Sequence, residues 1–230
     1  MRAVRLRAAA RLGSIGPEYL TAAQRVLLNE SLDEYVRAMR DSLDFAAAGM
    51  NLGNLYSARG DLRAAERYYR DALEVDGLFF PAAMNLAVLV AQQGNESEAE
   101  LLFREVLEAY PDRHDAAYSL ALLLAGQNRL DESVIYLAKA AEGMPQNARV
   151  HYNYGLLLAQ LGRDEEAEVA LVTTLELEPL NLDYLYAMAD FYLKRGRTDE
   201  ALVIAERMIA GHPQQRIGYD IKAAIEARNN

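Results

Sequence analysis

Between residues 46 and 215 one pattern of apolar, small and polar positions returns every 34 residues, with no insertion or deletion to break its phase. Bulky apolar residues stand at Leu52, Leu86, Leu120, Tyr154 and Met188. Each is followed by a small one: Gly53, Ala87, Ala121, Gly155 and Ala189. Residues that turn a chain recur at Gly60, Gly94, Asn128, Gly162 and Gly196. Ala65, Ala99, Ser133, Ala167 and Ala201 mark a second small position. Pro111, Pro145, Pro179 and Pro213 close the later copies, with Gly77 in the matching place of the first. Five copies follow: 46–79, 80–113, 114–147, 148–181 and 182–215. In each, apolar positions three and four apart outline two amphipathic helices. In "FPAAMNLAVLVAQQG" Pro81 suits a first turn and Gly94 ends the helix. In "NESEAELLFREVLEAYP" Asn95 is placed to cap a second helix and Pro111 to stop it. A single helix pair cannot bury its own apolar face, so neighbouring copies are expected to stack.

The set Leu52-Gly53, Tyr56, Ala65, Tyr69, Ala72 and the turn at Gly77 resembles the tetratricopeptide repeat, whose period is also 34. Small residues such as Gly49 replace the family's usual leading tryptophan, and Asn128 and Ser133 soften the third copy. The resemblance implies an all-α, right-handed alpha-alpha superhelix. Residues 216–230, "RIGYDIKAAIEARNN", then read as a capping helix. Residues 1–45 read as three HEAT-like or capping helices, the third opened by a capping box of Ser31 with Glu34. This lead, followed by "NLGNLY" and "AERYYRDALEVDGLFFPAAMNLA", also resembles the C-terminal helical region of periplasmic multihaem c-type cytochromes. That resemblance implies a haem-free accessory region of a longer polypeptide and a periplasmic location. Without it, the lack of a secretory signal in the basic start "MRAVRLRAAARL" points to the cytoplasm.

Composition narrows the functional classes. The chain has no cysteine, which excludes disulfides, thiolate metal sites, covalent haem attachment and cysteine nucleophiles within it. The formal net charge is −10 and is unevenly spread, with 17 basic against 28 acidic residues after residue 45. An acidic body repels phosphate backbones, so nucleic acid is not the expected partner. No apolar run reaches the length of about 18 residues that membrane insertion needs. No phosphate-binding glycine loop, nucleophile elbow or zinc-protease motif is present. His114, His151 and His212 lack ligand spacing, and the acids of "RDEEAE" open a helix where its dipole favours negative charge. No catalytic residue, metal ligand or cofactor is therefore expected.

The residues that remain for function lie on one face of the first helices. Met50, Met84, Tyr118, Tyr152 and Tyr186 occupy one register position in successive copies. Four residues further on come Asn54, Val88, Leu122, Leu156 and Asp190. Resemblance to the family places this stripe on a concave groove, and packing between helices is its alternative role. Tyrosine brings rigid area with a polar tip, and methionine adapts its shape. Beside the stripe stand Asn51, Asn85, Ser119, Asn153 and Ala187. In tetratricopeptide arrays asparagines at this place pair with the backbone of a bound peptide, which implies that role for Asn51, Asn85 and Asn153, with Ser119 weaker. An amide offers both a donor and an acceptor, matching a peptide unit without reading its side chain; a hydrogen bond between helices would satisfy it equally. The expected function is a non-catalytic scaffold binding an extended peptide or partner domain. The alternatives are the cytochrome accessory region and the substrate-selecting arm of a transferase. Arg149 and Lys194 are offset by Asp115, Asp183 and Asp190, so a strongly acidic ligand is not expected.

Overall fold

The computed structural model describes residues 2–229 and is all-α: among the described residues there are thirteen α-helices, one short 3-10 turn and no strand. The N-terminal helices are α1 (Arg2–Leu12) and α2 (Ala22–Arg40). Five pairs follow: α3 (Ala46–Ala58) with α4 (Leu62–Val75), and α5 (Phe80–Gln92) with α6 (Glu96–Ala109); then α7 (His114–Gly126) with α8 (Leu130–Gly143), and α9 (Ala148–Gln160) with α10 (Asp164–Leu177). The last pair is α11 (Leu182–Lys194) with α12 (Thr198–Gly211), followed by α13 (Ile217–Asn229). The chain packs as two compact units, residues 1–116 and 117–230, and the first turn of α7 belongs to the former.

Each helix pair is joined by the same turn. Gly60, Gly94, Gly162 and Gly196 adopt φ of 79°, 86°, 72° and 71°, and Asn128 takes their place at 60°. The left-handed residue lets the chain reverse and bond back: the N–H groups of Asp61, Asn95, Arg129, Arg163 and Arg197 donate to carbonyls five residues earlier, each at 2.9 Å. Four of the five second helices begin with a side-chain clasp that the sequence reading missed, while at α4 the Asp61 side chain caps the Ala64 N–H. Arg129, Arg163 and Arg197 donate to Glu132, Glu166 and Glu200 at 2.7, 2.8 and 2.8 Å. Asn95 does the same to Glu98 at 2.6 Å. Asn95 therefore occupies the cap position as expected, but its side chain bonds no helix N–H and instead donates from Nδ2 to Glu98. The acids of the first turns face the positive helix ends.

The N-terminal unit differs from expectation at its start. In place of three helices there are two and a 3-10 turn at Pro17–Tyr19. The capping box belongs to Thr21 and Gln24, while Ser31 is buried in the middle of α2. No Pro or Gly lies between Thr21 and Gly49, so nothing interrupts the helix at Ser31. Ala9 of α1, Leu32 and Tyr35 of α2 and Leu55 of α3 form one core. Close packing of α3 on α4 depends on Gly53, because a Cβ there would lie 2.4 Å from the Tyr69 ring.

In the C-terminal unit Gly155 has the same role against Leu171, whose Cγ lies 2.8 Å from the position of an added Cβ. Leu158, Leu171, Leu185 and Met188 form its buried centre, and Ile225 of α13 closes on the same core. Ser133, fully buried where other copies carry alanine, donates its hydroxyl to the Ala121 carbonyl at 2.7 Å. Glu168 anchors a polar knot: it accepts from Tyr192 at 2.8 Å and from both ends of the Arg197 guanidinium, which also lies over the Tyr192 ring.

Candidate functional site

The first helices are thirteen residues long and begin 34 apart, so a given repeat position has the same place along each helix. The residues expected on the groove face do reach solvent: Val88, Leu122, Leu156 and Tyr186 are 42%, 43%, 38% and 47% exposed. The two units carry different chemistry on that face.

In the N-terminal unit the face carries amides beside Met50, Met84 and Val88. Asn54 is exposed, and its Oδ1 accepts from the Tyr69 hydroxyl and from Asn85 Nδ2, both at 2.8 Å. Asn85 is thus tied to the preceding first helix through a partner 31 residues away, an offset outside the repeat period. The pair still has bonding capacity, since among the described residues the Asn54 amide N–H2 and the Asn85 carbonyl are not engaged. Asn51 is half-buried with no hydrogen bond to its side chain among the described residues. Met50 and Met84 pack partly into the small clusters around Ala72 and Val106.

In the C-terminal unit the face is aromatic. Asn153 Nδ2 donates to the Tyr118 hydroxyl at 2.6 Å, which leaves the phenolic hydrogen and the Asn153 carbonyl for other partners. The Tyr152 ring packs, tilted by 37°, with its centroid 4.8 Å from that of Tyr184, a residue that the repeat reading did not single out. Burial raises the pKa of the Tyr118 and Tyr152 phenols above the ordinary value, so both remain neutral donors near neutral pH. Ser119 is half-buried on the same helix, and Ala187 is buried where the asparagine position falls in the last copy. A cavity of about 370 Å³ opens beside Leu156, Ala187 and Asp190, with Gln160, Lys194 and Arg195 at its edge. Both of its cations have partners: Lys194 pairs with Asp190 at 2.7 Å, and Arg195 with Asp164 at 2.6 Å.

Among the described residues no group of three His, Cys, Asp or Glu side chains converges as a metal site would, and no helix is long and apolar enough to cross a membrane. His151 bonds the Pro145 carbonyl at 3.2 Å, and His212 bonds that of Leu180.

Comparison with known proteins returns one family. A tetratricopeptide repeat model matches residues 50–114, 97–147 and 118–173, over half of the chain, and a second tetratricopeptide repeat model matches residues 183–207. No curated protein matches the sequence. Among solved structures, the chain is similar to YrrB, described as a tetratricopeptide repeat protein with an unusual peptide-binding site. That match has 23% identity and a TM-score of 0.68, covering 81% of this chain and 96% of that one. It is similar to Pseudomonas aeruginosa pilF at 22% identity and a TM-score of 0.65, covering 82% and 91%. MamA matches at 18% identity with a TM-score of 0.67, covering 74% and 92%. At these identities the likeness is one of fold.

Proposed function

Because the chain belongs to the tetratricopeptide repeat family, we propose that it is a non-catalytic interaction scaffold whose first-helix faces bind an extended peptide or a partner domain. The observation that carries this reading is unspent hydrogen-bonding capacity beside exposed apolar area, found on the same face in both units. Asn54 with Asn85 offers an amide donor and a carbonyl acceptor, the two groups a peptide unit requires. Asn153 with Tyr118 offers a carbonyl and a phenolic hydrogen next to Leu122, Leu156 and Tyr186. Asn51 and Ser119 lie on the same register, and Met50, Met84 and Tyr152 supply adaptable or rigid walls. YrrB, of the same fold, is described by its peptide-binding site, and the present reading assigns that class of ligand to this chain. The pairing of Lys194 and Arg195 with acids disfavours a strongly acidic ligand.

The test is a peptide selected on the full chain from a random display library, titrated against single alanine variants. Asn51→Ala is expected to keep the melting temperature and weaken binding by roughly two- to tenfold, the worth of one hydrogen bond of about 0.5–1.5 kcal/mol. Asn85→Ala and Asn153→Ala remove a bond within the fold as well, so they lower stability and binding together. Unchanged affinity in all three would refute the assignment of the asparagines to the ligand.

A second reading, an accessory region docking other domains of a larger polypeptide such as a multihaem cytochrome, draws support from the N-terminal unit. Tyr19, Val26, Leu27 and Phe45 are 79%, 59%, 60% and 69% exposed there. Isolation of the natural polypeptide with covalently attached haem would favour this second reading.

A further inference from the structure

The second helices of the C-terminal unit hold a feature that the proposed groove does not use. Ile135, Val169 and Val203 share one register position in α8, α10 and α12, and they are 66%, 67% and 63% exposed. A large aliphatic side chain at one register of three second helices is not needed for the core, which these helices bury through Leu137, Leu171 and Ala205. Around Val169 the surface is concave. A cavity of about 520 Å³ runs between α8 and α10, walled by Ala138, Ala141 and Ala170 and floored by His151 and Tyr154 of α9. A second of about 430 Å³ adjoins it, sharing Val169 and Thr173 and adding Val172.

The rim of this apolar seat has one sign of charge. Glu142, Glu165 and Glu166 line the first cavity, Glu165, Glu168 and Glu176 the second, and no lysine or arginine lines either. Glu166 and Glu168 are neutralised by Arg163 and Arg197. Among the described residues Glu142, Glu165 and Glu176 have no ion pair. Lys139 stands on α8 outside the lining. An aliphatic trough edged by unpaired carboxylates complements a segment with the opposite pattern. Lysine or arginine stems would lie along the alanine and valine walls, with the charged heads among the carboxylates. A trough walled by two second helices suits a helix as its occupant.

We propose that the α8–α10 surface of the C-terminal unit is a second docking site, distinct from the first-helix face, and that it takes a basic amphipathic helix of a partner protein.

The probe is a synthetic helical peptide with leucine on one face and lysine flanking it, labelled and titrated against the full chain by fluorescence polarisation. A counterpart with glutamate for lysine serves as control. Any acidic protein attracts a lysine-rich peptide without a site, so the decisive variant leaves charge untouched: Val169→Asn with Val172→Asn. Both positions are exposed, so folding should be retained, and the melting temperature checks this. The proposal expects saturable binding of the lysine peptide alone, weakened roughly tenfold by the double asparagine variant. Glu142→Lys with Glu165→Lys should abolish that binding and admit the glutamate peptide. Tyr186→Ala, on the other face, should leave it unchanged. Affinity that follows net charge but ignores the asparagine variant would overturn the proposal, as would loss of binding with Tyr186→Ala. A change of oligomeric state in sedimentation when Val169 is replaced would instead make the surface an interface between copies, and would also overturn it.

Discussion

At single residues, the repeat offers its own controls. Asn128 does with a side chain what glycine does in the other four turns, holding φ at 60°. Left-handed backbone costs an ordinary L-residue roughly 1–2 kcal/mol, and asparagine only part of that. Asn128→Gly should therefore raise stability by up to about 1 kcal/mol, read from the denaturation midpoint, while Gly94→Ala should lower it by about 1–2 kcal/mol. Ser133→Ala removes a buried hydroxyl from a position that is alanine in every other copy. Its change in stability should stay within about 1 kcal/mol, because the Ala121 carbonyl also lies in a helix and keeps an acceptor role there. Tyr192 gives a pH signature. Burial first, then its bond to Glu168, pushes its pKa up to about 12 from an ordinary value of 10. The neutral phenol is the form that stabilises the fold. Its contribution is complete below pH 10 and is lost as pH rises towards 12. Tyr192→Phe should make alkaline unfolding less steep over that window. Glu168 acts in the opposite direction: Arg197 lowers its pKa, so its contribution is lost as pH falls below the carboxylate range.

Among elements, what the chain revealed in advance depended on whether a signal repeated. Helix pairs, turns and small contact positions recur five times in one phase, and the first helices begin where that phase places them. The unrepeated start had no such check. A Ser-x-x-Glu motif at Ser31 suggested a helix beginning, but with no breaker nearby α2 runs straight through it. The Asn54–Asn85 and Asn153–Tyr118 bonds were illegible for a different reason. They join positions 31 and 35 residues apart, so they follow how neighbouring first helices approach, which periodicity does not encode. The Gly53–Tyr69 contact tests the packing rule of α3 on α4. Gly53→Ala forces the ring to move and should cost about 1–3 kcal/mol; Tyr69→Leu, imitating the Ala121 and Leu137 pairing of the third copy, should recover part of it in the double variant.

For the molecule as a whole, the phase is uniform while the surface chemistry is not. The first-helix face turns from amides in the N-terminal unit to phenols and aliphatic groups in the C-terminal one. That change was readable as a Met-to-Tyr stripe, but its meaning depended on which polar groups the fold consumes. The acidic excess was also readable, yet its place beside the aliphatic row of α8, α10 and α12 was not, because helical spacing alone does not say which carboxylates already hold an arginine.

The tyrosines of the C-terminal unit have an optical consequence. The chain contains fourteen tyrosines and no tryptophan, so its near-ultraviolet emission comes from phenols alone. Tyr118, Tyr152 and Tyr186 belong to the face assigned to the ligand, and the Tyr184 ring packs against Tyr152. Occupancy of that face would alter quenching and solvent polarity around several of the emitters at once. Binding can then be followed on the unmodified polypeptide, without a dye that would compete for the same surface.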